Sequence, residues 1–235
     1  MARSLRPKLP LSICISSIYY HDSELDVVSA LAGVVNQYYT RWSKLDLYIP
    51  DDYYQCFHAT DNHAPMLKSI RFVSSYNARN LKFQLTCPRL ERASLAYFPL
   101  YGTNIQWDNL THLTLYSISI NNSFLILRKT PRLVICKVSG DGPRYTEPSI
   151  GPLVLTSLRS LQLITDSTPD FLNNLIAPHL EEFSLPNYYN PSMEVITSFL
   201  RRSACSLRSF TVTFSTFPPY FEGFLYNHCL HWTRY

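Results

Sequence analysis

The chain is poor in charged residues and has no long apolar run. Lysine, arginine, aspartate and glutamate make up 16% of its 235 residues, against about 25% in an average soluble domain. The 21 basic and 17 acidic residues give a formal net charge of +4 and are scattered along the sequence, so it carries no electrostatic footprint for nucleic acid. Its longest stretch without an acid or base, 109–127, is too polar to span a bilayer. We therefore expect neither a nucleic-acid nor a membrane partner.

Glycine is also scarce, with six residues in the chain, and the glycine-dependent motifs of enzymes are missing. The sequence has no G-x-S-x-G elbow that would expose a nucleophile. The segment Ser139-Gly-Asp-Gly142 lacks the G-K-S/T that closes a phosphate-binding loop. We therefore expect no catalytic residues and no cofactor, and we predict that the chain is not an enzyme.

Six cysteines lie far apart and form no C-x-x-C pair, so we expect them to be reduced. The N-terminus has no apolar run of the length that a secretory signal needs, and we predict a cytoplasmic or nuclear protein. Two groups, Cys56 with His58 and His63, and Cys229 with His228 and His231, could be drawn as half of a zinc site. Neither supplies four ligands, and we expect no metal.

What the sequence does contain is a repeat of the form Leu-x-x-apolar-x-apolar. From Trp42 onward the first positions of successive phrases lie 20 to 27 residues apart, and leucine-rich repeats have a period of about 20 to 29. The last two apolar residues of each phrase alternate with polar ones, as in a short strand with one buried face. The eight phrases are Trp42/Leu45/Leu47, Leu67/Ile70/Phe72, Leu90/Ala93/Leu95, Leu110/Leu113/Leu115, Leu133/Cys136/Val138, Leu158/Leu161/Leu163, Leu180/Phe183/Leu185 and Leu207/Phe210/Val212; Pro10/Ile13/Ile15 fits loosely.

The pattern predicts an α/β fold, an irregular leucine-rich-repeat solenoid with short parallel strands joined by helices or loops. The clearest helix is expected over 23–39, with Leu25, Val28, Leu31, Val35 and Tyr38 on one face. A second should open at Asn190-Pro191, and shorter helical turns are expected over 123–129 and 169–176. A long loop is expected over 139–152. We predict one domain over 1–235, with repeats over about 10–214 and an atypical aromatic tail over 215–235.

The wording of the phrases resembles the repeat region of fungal, basidiomycete-like F-box proteins with leucine-rich repeats. Ala-Pro-x-Leu precedes a strand at Ala64 to Leu67 and again at Ala177 to Leu180, which is typical of that group, and the resemblance covers nearly the whole chain. In that family an N-terminal F-box docks on the adaptor of a cullin-type ubiquitin ligase and the repeats bind substrates. The resemblance therefore implies a protein-binding scaffold, a substrate receptor whose partner the sequence does not identify.

An F-box of about 40 residues should precede the repeats, and the residues before Pro10 are too few to form one. We therefore expect adaptor and cullin as partners only if an F-box lies upstream. The alternative is a truncated or degenerate family member with no independent activity.

The strand residues that alternate with the buried ones should form the concave face of the stack. Basic and aromatic residues gather there over the first two thirds of the repeats, where they could bind a partner or form an ordinary solvated sheet face. The predicted partner-binding residues are Lys44, Asp46, Tyr48, Arg71, Arg92, His112, Thr114, Tyr116 and Lys137.

Overall fold

The computed structural model describes residues 9–16, 25–58, 62–74, 83–100, 103–140, 151–165, 168–185 and 193–212. The chain is a mixed α/β protein that divides into two compact units, Met1–Asn109 and Leu110–Tyr235. Nine of the described strands form the main parallel rows, four in the first unit and five in the second, and four more form two small parallel sheets. The prediction of a single domain over the whole chain stays a prediction.

The elements of the first unit are β1 (Leu11–Ser16), α1 (Leu25–Asn36), a 3-10 helix (Tyr39–Arg41), β2 (Trp42–Tyr48), a 3-10 helix (Asp51–Cys56), β3 (Ser69–Val73), β4 (Phe83–Leu85), β5 (Arg92–Ala96) and β6 (Thr103–Ile105). A parallel row of strands follows the order β1, β2, β3, β5. A second, two-stranded sheet pairs β4 with β6.

The elements of the second unit are β7 (His112–Tyr116), α2 (Ile120–Leu127), β8 (Ile135–Ser139), β9 (Leu153–Val154), β10 (Ser160–Ile164), α3 (Thr168–Asn174), β11 (Leu175–Ile176), β12 (Glu182–Leu185), α4 (Met193–Ser203) and β13 (Ser209–Val212). The arrangement of the first unit recurs, with parallel strands in the order β7, β8, β10, β12, β13 and a small sheet that pairs β9 with β11.

A tight turn leads into five of the phrase strands. In each, the N–H of the first phrase leucine donates to the carbonyl three residues earlier, as from Leu90 to Cys87 at 3.0 Å and from Leu133 to Thr130 at 3.1 Å. Four of these turns carry proline at their second position, where its fixed φ favours the turn; these are Pro65, Pro88, Pro131 and Pro178. The turn places each leucine in the core before its strand begins.

Three phrase strands are followed directly by a residue in the left-handed region, seven positions after the first leucine. These are Tyr97 (φ 53°), Ser117 (φ 49°) and Gly140 (φ 69°). At two of these positions the N–H donates to the neighbouring phrase, from Ser117 to Ser139 at 2.8 Å and from Gly140 to Ile164 at 2.9 Å. A Cβ at position 140 would lie 2.6 Å from the Ser117 Oγ, so the glycine there allows the close approach of two phrases.

The apolar positions of the phrases form the core. In all eight phrases they are buried, except Val212, which is half-buried. Adjacent phrases align position for position, so that Leu45 lies opposite Ile70 and Leu113 opposite Cys136. Within each unit the predicted parallel pairing of successive phrases is confirmed.

An aromatic cluster fills the core of the first unit beneath these strands. Tyr54, Phe72, Phe83 and Phe98 meet mostly edge to face, with ring centroids 5.0 to 6.4 Å apart. The Tyr54 hydroxyl lies 3.1 Å from the Leu47 carbonyl oxygen and 2.9 Å from that of Val73. Burial raises the pKa of Tyr54 well above its ordinary value of 10, so the phenol stays a donor.

The four helices occur in the segments where they were predicted, but the face of α1 differs. Among the α1 residues whose side chains the structure describes, 27–36, Val28 and Ala32 are buried and Val35 is half-buried; the side chain of Leu25 lies outside that range. Leu31 and Tyr38, predicted on the apolar inner face, are 42% and 44% exposed. The helix is apolar nearly all round, so its periodicity does not single out one face.

Some expectations about the connectors do not correspond to what the structure describes. The short strands β4, β6 and β9 lie in connectors for which irregular loops were expected, and β11 occupies the end of the segment 169–176, for which a helical turn was expected. Most of the loop predicted over 139–152 and all of the tail predicted over 215–235 lie outside the described residues, as do residues 213–214 at the end of the predicted repeats.

Replacing a core leucine in the second unit should be costly. Leu113 is 1% exposed in the middle of β7, so Leu113→Ala should lower the free energy of unfolding by about 2 to 5 kcal/mol, because it removes buried contacts and leaves a cavity. Leu125→Ala is the matched control, since Leu125 is 52% exposed. Urea unfolding checks both; equal losses would show that Leu113 is not a core residue.

The buried thiols should be unreactive in the folded protein. Burial raises the pKa of Cys87 and of Cys136 from the ordinary 9 to about 12, whereas Cys14 is exposed and free. At pH 8, iodoacetamide should alkylate Cys14 at least about tenfold faster than either buried thiol, because the thiolate is the nucleophile. Peptide mass spectrometry resolves each site, and similar rates at all three would contradict the burial.

The same pKa values predict a loss of stability in alkali. The unfolded chain releases the two protons near pH 9 and the folded chain near pH 12, so the buried thiols stabilise the fold fully below pH 9. That contribution is lost as the pH rises through this window. Urea unfolding between pH 8 and 11 should show a shallower decline for a Cys87→Ala/Cys136→Ala variant than for the native chain; parallel declines would contradict the assignment.

Candidate functional site

The candidate site is the face of the strands formed by the residues that alternate with the buried core residues. We call this face the open face of each unit. The first unit carries five of the nine predicted partner-binding residues and the second unit four. On the first open face these are Lys44, Asp46, Tyr48, Arg71 and Arg92, and on the second they are His112, Thr114, Tyr116 and Lys137.

Strand register brings the charged residues of the first open face together. Asp46 on β2 pairs with Arg71 on β3, and Lys44 stands two residues before Asp46. The Asp46 carboxylate lies 3.7 Å from the Lys44 Nζ and 3.8 Å from an Arg71 Nη. Ser69 pairs with both Lys44 and Arg92, which places a third cation one strand beyond Ser69.

Asp46 differs from its neighbours on this face because its side chain is only 12% exposed, while those of Lys44 and Arg71 are 49% and 60% exposed. The carboxylate therefore lies beneath two cations that reach into solvent. A nearly buried carboxylate needs such partners to offset its lost hydration. The first open face presents to solvent the positive charges of Lys44, Arg71 and Arg92 and the ring of Tyr48.

The second open face carries less charge. Its register aligns His112 with Ile135, Thr114 with Lys137 and Tyr116 with Ser139. The side chains of His112, Tyr116 and Lys137 are exposed, and Thr114 is half-buried. The imidazole Nδ1 of His112 lies 2.8 Å from the Thr111 Oγ1. This face combines an aromatic ring, an imidazole and one lysine on two neighbouring strands.

Sequence reasoning missed two features of these surfaces. Cys14 on β1 pairs with Asp46 and its free thiol is exposed, which places it on the first open face, although its phrase fits the repeat only loosely. In the second unit, Glu181 forms ion pairs with Arg159 and Arg208, one phrase before and one after it. The fixed offset of these charges from the phrase leucines would have revealed that ladder.

No metal was expected at either of the two Cys/His groups, and the structure describes the residues of one of them, the group around Cys56. Among the described residues, no group of three metal-binding side chains comes together. Asn36 instead ties this segment to α1, donating to the Cys56 carbonyl at 2.7 Å and accepting from the His58 N–H at 3.3 Å. The group around Cys229 lies outside the described residues. In the described part of the chain, no helix is long and apolar enough to cross a membrane.

The pair of cations above Asp46 gives a stability prediction. Asp46→Asn should lower the free energy of unfolding by about 1 to 2 kcal/mol, because two adjacent cations lose the carboxylate between them. Glu91→Gln is a milder comparison, since the Lys68–Glu91 pair is 3.9 Å apart and both side chains are about half exposed. Urea unfolding at about 0.05 and 1 M salt measures both. An Asp46→Asn loss no larger than that of Glu91→Gln would refute the role given to the carboxylate.

Comparisons of the chain with protein-family models, with curated proteins and with solved structures give no match.

Proposed function

We propose that the chain is a leucine-rich-repeat scaffold that binds a protein partner through the open faces of its strands. Support comes from the phrases, each of which supplies one parallel strand at a spacing of 20 to 27 residues. The observation that carries the proposal is the register. It aligns the exposed positions of successive phrases into rows of regularly spaced side chains, which a rigid sheet holds in place for a partner.

The kind of scaffold is part of the same proposal. Resemblance of the phrases to the repeat region of fungal F-box proteins suggests a substrate receptor of a cullin-type ubiquitin ligase. Adaptor and cullin would then join through an F-box upstream of the repeats, and the protein would act in the cytoplasm or nucleus. A degenerate family member with no activity of its own is the alternative that the binding experiment below addresses.

The charge on the first open face favours an acidic partner segment. Lys44, Arg71 and Arg92 project from three neighbouring strands, and the one carboxylate among them is covered by two of the cations. A net positive surface of this kind attracts carboxylate-rich segments and speeds their association. Arginine also pairs with carboxylates in a bidentate manner, which adds geometric selectivity. The exposed Tyr48 offers an aromatic contact beside the cations.

The experiment compares a variant that lacks two charges of the first open face with a control variant that lacks two charges elsewhere on the chain. The native chain is immobilised and proteins bound from a cell extract are quantified, for it and for the double variant Arg71→Gln/Arg92→Gln. The proposal predicts that a defined set of acidic proteins loses at least about 90% of its recovery, roughly 1.4 kcal/mol of binding. Their binding to the native chain should also weaken with salt.

The matched control is Lys129→Gln/Arg201→Gln, which removes two exposed charges from helix ends away from the open faces. It should leave the recovered set unchanged. If both double variants lower recovery equally, the attraction is general and not specific to the face. If no protein depends on Arg71 and Arg92, the open face of the first unit is an ordinary solvated sheet surface and the degenerate alternative is favoured.

A further inference from the structure

At one end of the first unit, the described part of the chain adds no further layer to the repeat core. β1 is the first strand in the sheet order and pairs with β2 on one side; its other edge faces no strand in the part of the chain that the structure describes. The core-facing residues Ile13 and Ile15 are half-buried, whereas Leu45 and Leu47, their partners on β2, are fully buried. Within the described residues, the core-facing side of β1 is therefore less completely covered than that of β2.

The exposed flank of α1 lies at the same end. Val27, Leu31 and Val34 are 66%, 42% and 55% exposed. At 100° per residue they lie about 140 to 180° around the helix from Asn36. Asn36 contacts the 3-10 helix that follows β2, since its side chain donates to the Cys56 carbonyl. The apolar flank therefore faces away from the next repeat, in the same direction as the outer edge of β1.

We propose that this surface, the outer edge of β1 with the Val27, Leu31 and Val34 flank of α1, is the interface of a twofold-symmetric dimer of the chain. We call it the β1–α1 end surface. The inference does not depend on the proposed partner-binding function, because the open faces stay accessible on both copies.

A second copy fits because the end surface is complementary to itself. A twofold axis perpendicular to the sheet sets β1 antiparallel to β1 of the partner copy and keeps the helices of both copies on one side of the joined sheet. The two α1 helices then run antiparallel with their apolar flanks in contact. Such an interface uses the same patch on both copies, as a twofold dimer requires.

Charge supports the same occupant. β1 contains neither a charged residue nor proline between Leu11 and Ser16, and α1 has no acid or base from Val27 onward. Charged residues and proline are the usual means by which an edge strand avoids pairing with another chain. A neutral patch meets its own copy without like-charge repulsion. Arg41 marks the polar rim, with its guanidinium 5.7 Å from the Tyr38 ring centroid and its Nε donating to the Leu9 carbonyl.

Side-chain alternation restricts the register of such a pair. Residues directly opposite each other in antiparallel strands point to the same side of the sheet, so the residue numbers of each pair must sum to an even number. The two central registers place Ile13 opposite itself or Cys14 opposite itself. In either case the two Cys14 side chains are opposite or diagonal neighbours, about 4.5 to 8 Å apart.

The size of the surface predicts a reversible dimer. A helix of twelve residues is about 18 Å long and a strand of six about 20 Å. With sheet and helix layers about 10 Å apart, the two copies together bury on the order of 1,000 Å², near the lower limit of specific interfaces. We therefore expect a dissociation constant in the micromolar range.

The test measures mass and proximity on the full chain. Sedimentation equilibrium from about 1 to 200 μM should show a monomer–dimer equilibrium, and Leu31→Lys or Val34→Lys should raise the dissociation constant at least about tenfold. Leu125→Lys is the matched control, because Leu125 is 52% exposed on another helix; it should change the dissociation constant by less than about twofold. Because Leu31 and Val34 are exposed, we expect both lysine variants to fold, and circular dichroism checks that they do.

Cross-linking with a short bis-maleimide tests the same interface in the native chain, without the lysine variants. It should link two native chains through Cys14, as shown by peptide mass spectrometry, and Cys14→Ser should abolish that product. The proposal is overturned if the chain stays monomeric at 200 μM, or if it forms a dimer that the lysine variants leave intact. It is equally overturned if the dimer cross-links through other cysteines and not through Cys14.

Discussion

The structure depends on the parallel pairing of successive phrases in one fixed register. A single phrase has a strand of about five residues with one apolar side, and it cannot bury that side by itself. Pairing with the next phrase buries the leucines of both and connects their backbones. In several phrases two successive backbone N–H groups donate to one carbonyl of the preceding phrase. Those of Val134 and Ile135, for example, both donate to the Thr111 carbonyl at 2.9 Å. A shift of one residue would turn every leucine toward solvent, so the core enforces the register.

The same register that buries the core arranges the surface. Because each phrase contributes residues to equivalent positions, side chains from sequence-distant strands form rows on the open faces, such as Lys44, Ser69 and Arg92. The rows explain how Asp46 comes to lie beneath two cations. At the end of the first unit the repeating contact has no counterpart in the described part of the chain, so Ile13 and Ile15 are only half-buried and the flank of α1 is exposed.

The strands could be predicted from the sequence because two signals coincide there, the leucine period and the alternation of apolar with polar residues. Other features left no such signal. The left-handed ends at Tyr97 and Ser117 carry residues that do not mark this conformation, in contrast to Gly140. Tyr54 is buried in the polar segment 51–56, where only the tertiary contacts of its ring and hydroxyl explain its place. One of the two cations over Asp46, Arg71, lies on the next phrase strand, distant in sequence.

Measuring the strand register tests most directly whether successive phrases stack in parallel. In a methyl- and aromatic-labelled sample, nuclear Overhauser effects should connect Leu45 with Ile70 and Leu161 with Phe183, the pairs that lie opposite each other in the parallel strands. Strong effects at those pairs, each weaker when one partner is moved two positions along its strand, would agree with phrase-by-phrase stacking. Effects that instead match antiparallel order or a shifted register would contradict it.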